Sequence, residues 1–208
     1  MTEGVLVTCA HVVRAAGGGP GERVGVVFPH VADRFRAEGH VVSGLWRAPE
    51  DEDVAVLHLS SKSASMRSLL LGSAAGCRGH QVRSFGFPAQ APPDGHFGFG
   101  VAGDLLPAVG GRGPHLQLTA ANDLTTGFSG GPVLDEITGL VIGMLTEITA
   151  PDEYVRGQGI AYVTPTQVLR ELLPELAEQE LCPYRGLESF TEDQARWFEG
   201  RKMQYGRS

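Results

Sequence analysis

With 208 residues the chain can hold one domain of about 150 to 200 residues with its own core, plus a short extension. Its 17 basic and 24 acidic residues give a net charge of −7, and no stretch gathers Lys or Arg into a patch that could track phosphates, so no nucleic-acid partner is expected. No apolar run approaches the roughly 18 residues of a membrane span, and Met1-Thr2-Glu3-Gly4 has no basic region ahead of an apolar one, so neither a membrane partner nor a signal peptide is expected.

In chain order, short apolar or alternating segments fall at 4–8, 24–28, 41–46, 54–59, 82–87, 96–101, 116–119, 140–145 and 160–163. They predict about nine strands, an all-β sandwich or barrel. Glycine (29 residues) and proline (13) concentrate between them, at 17–21, 91–95 and 110–114, and supply turns. The only helix expected before residue 180 starts near Thr164-Pro165-Thr166 and carries Val168, Leu169, Leu172, Leu173 and Leu176 at helical spacing, with Pro174 bending or ending it. The cysteines Cys9, Cys77 and Cys182 are odd in number and scattered without metal-ligand spacing. That pattern points to a reducing compartment, the cytoplasm by default, and to no metal.

A serine hydroxyl needs a base on its proton, a group that orients the base, and donors for the developing oxyanion. Gly127-Phe128-Ser129-Gly130-Gly131-Pro132 surrounds Ser129 with small residues, which lets the backbone turn sharply and present the Gly127 and Ser129 N–H groups to one oxygen. The same segment also reads as a glycine-rich loop before a strand at Val133. His11 follows an apolar strand in Val5-Leu6-Val7-Thr8-Cys9-Ala10-His11; alone, a histidine among valines is more often a packed core residue. Asp53 stands where the acidic run Glu50-Asp51-Glu52 meets the strand Val54-Ala55-Val56-Leu57. It can be drawn inward to accept the Nδ1 proton of His11, or it can merely close a solvated turn.

Taken together, TCAH at His11, DVAV at Asp53 and GFSGGP at Ser129 resemble the motifs TAAH, DIAL and GxSGGP of trypsin/chymotrypsin-like serine proteases, over roughly residues 4 to 175. The resemblance implies two packed six-stranded antiparallel β-barrels with the His11, Asp53 and Ser129 triad between them, the Gly127 and Ser129 amides as oxyanion hole, and a C-terminal helix. It implies a peptidase acting on polypeptide substrates without a cofactor. Asp123, six residues before Ser129, takes the place of the specificity-pocket floor, favouring Lys or Arg, or is an ordinary turn residue; Gly159 resembles the pocket-wall glycine. Phe128 stands where secreted trypsins carry Asp, so activation by insertion of a new N-terminus is not expected. His11 comes early for the family, so the first barrel is expected to be incomplete and the sequence to be cut short upstream.

After residue 180, Pro183-Tyr184-Arg185-Gly186-Leu187-Glu188-Ser189-Phe190 and Phe198-Glu199-Gly200-Arg201 are similar to the opening of STAND-type NTPase domains, although a plain amphipathic tail fits as well. The expected organisation is a protease domain over 1–178 and a linker with the truncated NTPase start over 179–208. The resemblance implies a protease arm in a signalling or defence protein, with an ATP-dependent oligomer formed through the missing NTPase portion; the chain has no G-x-x-x-x-G-K-[ST] of its own. Two rivals stay open: a trypsin-like binding module that does not turn over, and an esterase using the same triad.

Overall fold

The computed structural model describes residues 4–89, 94–109, 113–149 and 158–176. In the first lobe, strands β1 (Val5–Thr8), β2 (Arg23–Val27), β3 (Arg36–Val41) and β4 (Ala55–Leu59) form an antiparallel sheet in the order β1-β4-β3-β2. Ala55, Val56 and Leu57 are buried in succession because β4 has neighbours on both edges and packing on both faces. One face meets Ala10, Val13, Val24 and Val41, the small core of this lobe.

Strands β5 (Gln81–Gly86), β6 (His96–Leu106), β7 (His115–Thr119), β8 (Pro132–Asp135), β9 (Val141–Ile148) and β10 (Ala161–Pro165) close into an antiparallel barrel in the order β10-β7-β6-β5-β8-β9. Inward and outward positions alternate as a period of two requires: Val82, Ser84 and Gly86 of β5, and Leu116 and Leu118 of β7, point into the barrel. Closure leaves no strand edge to water. Helix α2 (Thr166–Leu172) follows β10 and packs Val168, Leu169 and Leu172 inward.

A third cluster, Cys9, Val54, Met144, Leu169 and Leu172, joins the lobes. The Cys9 thiol donates to the Leu145 carbonyl (3.3 Å) and the Thr164 hydroxyl to the Glu52 carbonyl (3.2 Å) across the same junction. The fold is therefore mostly β, with one closed six-stranded barrel and a second sheet, as the resemblance implies. The described residues of the first lobe carry four strands rather than the six that the resemblance implies.

Two local expectations need correction. The strand expected at 41–46 lies earlier, at Arg36–Val41, and Ser43–Leu45 makes a short 3-10 turn. The alternation of β3 is hidden because one of its inward positions is Gly39, which leaves room for the Leu57 side chain. A second helix, α1 (Ala10–Ala15), begins just after β1 and carries His11 in its first turn. Six residues are too few to show a helical period. Strand β8 runs directly out of the serine loop, where the sequence already offers a strand at Val133. No helix among the described residues is long and apolar enough to cross a membrane. The NTPase-like segment over 179–208, Cys182 included, lies outside the described residues.

Candidate active site

Of the acidic run before β4, Glu50 and Asp51 are exposed, Glu52 pairs with Arg47 (3.3 Å), and Asp53 alone is buried. The turn that turns Asp53 inward is closed by the Asp51 and Asp53 amides, both donating to the Ala48 carbonyl (2.9 and 3.1 Å). It requires the left-handed conformation at Asp53 (φ 55°), which aspartate tolerates better than most residues. One carboxylate oxygen then accepts the His11 backbone N–H (2.9 Å) and the other faces His11 Nδ1 (2.6 Å). The first contact satisfies an amide in the first turn of α1, which has no side-chain cap of its own. The second fixes the tautomer: a carboxylate can only accept, so Nδ1 carries the proton and Nε2 is left as a base.

Ser129 lies on the loop entering β8. Gly127 (φ 107°) and Gly130 (φ 82°) flank it in conformations closed to most side chains. Gly130 sits against Thr8 and the Cys9 amide, so close that a Cβ would strike the Thr8 hydroxyl, which brings the serine loop to the chain entering α1. The loop is pinned to the barrel by Gly130 N–H donating to the Leu145 carbonyl (2.8 Å) and Leu145 N–H donating to the Gly131 carbonyl (2.9 Å). Among the described residues, the Gly127 and Ser129 amides donate to no protein acceptor, and Ser129 Oγ and His11 Nε2 have no hydrogen-bond partner. The groups an acyl transfer requires are thus uncommitted, while the groups that hold them are bonded.

Phe128 is fully buried in the barrel core, in the space left by Gly86 and Gly98 and against the His96 ring (centroids 5.4 Å apart). An aromatic anchor here holds the serine loop by packing. Cys9 lies beside Asp53, but burial and the neighbouring carboxylate push its thiol far above the ordinary range. It stays protonated and is a poor nucleophile.

Asp123 is exposed, and its carbonyl backs onto Gly98. The Gly159 carbonyl accepts from the Ala121 N–H (2.9 Å), and Gly159 packs on Asn122, with no room for a Cβ. Gly159 therefore lies against Asn122, the residue next to Asp123. A feature that sequence spacing missed is a second histidine–carboxylate pair, His80 with the fully buried Asp135, on the barrel.

Over residues 2–144, a span that includes His11, Asp53 and Ser129, the sequence matches the family described as the trypsin-like peptidase domain. The chain belongs to this family. By family it is a hydrolase of the serine protease class. The trypsin-like peptidase domain is also similar to solved structures. The HtrA-type protease AlgW with a decapeptide matches at 24% identity and a TM-score of 0.64, over 85% of this chain and 49% of that one. Its complex with a tripeptide matches at 22% identity and 0.63, over 85% and 53%. Deg5 matches at 23% identity and 0.60, over 83% and 78%. At such identities the likeness is one of fold, and the chain spans about half the length of the AlgW chains. No curated protein matches the chain in sequence.

Proposed function

We propose that this trypsin-like peptidase domain is a serine endopeptidase working through His11, Asp53 and Ser129. The observation that carries the reading is the two-point hold of Asp53 on His11, on a helix whose approach abuts the serine loop. Ser129 Oγ attacks the scissile carbonyl while His11 Nε2 takes its proton; Asp53 stabilises the imidazolium that forms. The negative oxygen of the tetrahedral intermediate accepts from the Gly127 and Ser129 amides. His11 returns the proton to the leaving amine, the acyl-enzyme forms, and water attacks it with His11 again as base. A polypeptide substrate is supported by the peptide complexes of the structural neighbours.

Cleavage after Lys or Arg rests on Asp123 with Gly159 beside it. Because Asp123 is exposed, we assign it a moderate preference rather than an absolute one. The likeness of residues 183–201 to the start of STAND-type NTPases supports placing the domain as the protease arm of a cytoplasmic signalling or defence protein, controlled by ATP-dependent oligomerisation. The competing reading, a binding module without turnover, draws on the four-stranded first lobe.

A fluorophosphonate probe separates the two. Labelling of the folded protein that disappears in Ser129→Ala supports the enzyme. A folded full-length protein that takes no label overturns it. Peptide and simple ester substrates compared side by side then distinguish a peptidase from an esterase.

A further inference from the structure

Cys77 and His80 occupy one turn, closed by His80 N–H donating to the Cys77 carbonyl (2.9 Å), just before β5. Asp135 ends β8, on the strand paired with β5, where Val82 opposes it. The turn and the strand end therefore meet at the β5–β8 seam, and the Cys77 thiol, an imidazole nitrogen of His80 and a carboxylate oxygen of Asp135 all lie within 4.8 Å of one another. Cys77 and Asp135 are buried and His80 is mostly so. We propose that these three residues form a binding site for a divalent metal ion of the zinc class.

Three features support the assignment. The first is geometric: His80 Nδ1 lies 3.1 and 3.2 Å from the two Asp135 oxygens, and Cys77 Sγ lies 3.9 Å from one of them. Ligand atoms at ordinary zinc distances around a tetrahedron are separated by about 3.4 to 3.6 Å, so a cation fits between them with small side-chain movements. The second is orientation. Asp135 Oδ1 accepts from the Ile137 amide (3.1 Å) and Oδ2 from the Thr138 hydroxyl (2.8 Å), so its carboxylate is held from behind by the hairpin that follows β8, as outer-shell donors hold a metal-binding carboxylate. The third is chemical. One sulfur, one imidazole and one carboxylate suit zinc better than calcium or magnesium, which prefer oxygen alone.

Three protein ligands leave the fourth position to water, on the side where His80 is part-exposed. The ion would tie the turn before β5 to the end of β8, the strand that leaves the serine loop. It is thus a clamp on the barrel seam and takes no part in bond cleavage; the assignment does not depend on the peptidase reading.

Cobalt titration of the reduced, metal-free full chain tests it, since thiolate coordination to Co2+ gives a near-ultraviolet absorption and tetrahedral geometry an intense visible band. One equivalent should produce both. Both should vanish in Cys77→Ser and in His80→Gln and persist in His11→Ala, the last because Cys9, His11 and Asp53 form another close group of ligand types. Zn2+ at a hundredfold excess over its Kd should raise Tm by about 5 °C in the wild type and in His11→Ala, and in neither Cys77→Ser nor His80→Gln. Absence of thiolate–cobalt absorption in the folded wild type overturns the proposal. So does absorption that survives Cys77→Ser or is lost in His11→Ala. If Cys77→Ser fails to fold, the more exposed His80→Gln carries the comparison.

Discussion

Asp53 engages His11 twice, through the backbone amide and through the ring, so one carboxylate both starts the helix and sets the tautomer of its histidine. The two contacts use different oxygens and fail separately when the side chain is changed. Asp53→Asn keeps an acceptor for the His11 amide and tolerates the left-handed backbone, so helix α1 and the fold should survive. It cannot hold Nδ1 as the protonated nitrogen. We expect kcat to fall by about ten-thousand-fold with little change in Tm, a split read by pairing peptide-hydrolysis kinetics with thermal unfolding.

The order His11, Asp53, Ser129 was legible because each residue sits in a short motif with its own local reason: a strand end, an acidic turn, a glycine-rich loop. The barrel strands were legible because both faces of a closed barrel impose alternation. What escaped were several features that depend on distant pairing. Helix α1 is too short to show a period and takes its first hydrogen bond from a residue 42 positions away. Strand β3 has an inward Gly39 where a strand reader looks for a large residue. His80 and Asp135 are 55 residues apart, although the spacing Cys77-Arg78-Gly79-His80 was a signal present in the sequence.

Phe128 replaces an ionic tether with packing, and its removal should be costly. Truncating a fully buried phenylalanine costs about 3 to 5 kcal/mol, against a total stability of about 5 to 15 kcal/mol for an ordinary domain. Phe128→Ala should therefore lower the urea midpoint sharply, and at temperatures where it is still folded the probe should label Ser129 more slowly, because the loop has lost its anchor.

Asp123 offers a milder test. An exposed carboxylate facing a cation contributes about 0 to 1 kcal/mol, so Asp123→Ser should reduce the preference for Lys and Arg over neutral residues by no more than about fivefold. Ratios of kcat/KM on matched peptides measure this. A preference that is unchanged in the variant would remove Asp123 from the recognition site.

Ser84 points into the barrel next to Gly131, and its hydroxyl has no hydrogen-bond partner. A buried orphan hydroxyl costs about 1 to 3 kcal/mol, more than the packing of the single oxygen returns. Ser84→Ala should raise the urea midpoint, with probe labelling of Ser129 unchanged.

Gly130 joins the two halves of the site, and a single methyl group there tests whether that contact is essential. Alanine at φ 82° carries about 1 to 2 kcal/mol of backbone strain. Its Cβ would also strike the Thr8 hydroxyl and press on the Thr8 Cβ and the Cys9 amide, in the chain that leads into α1. The atoms nearest that Cβ belong to Thr8 and Cys9 and not to the barrel core. Gly130→Ala should therefore leave a folded barrel, seen as retained far-ultraviolet circular dichroism and a modest fall in Tm, while separating Ser129 from His11. Loss of nearly all probe labelling in a folded variant is the expected outcome. Labelling at the wild-type rate would show that the approach of Gly130 to Thr8 does not set the distance between nucleophile and base.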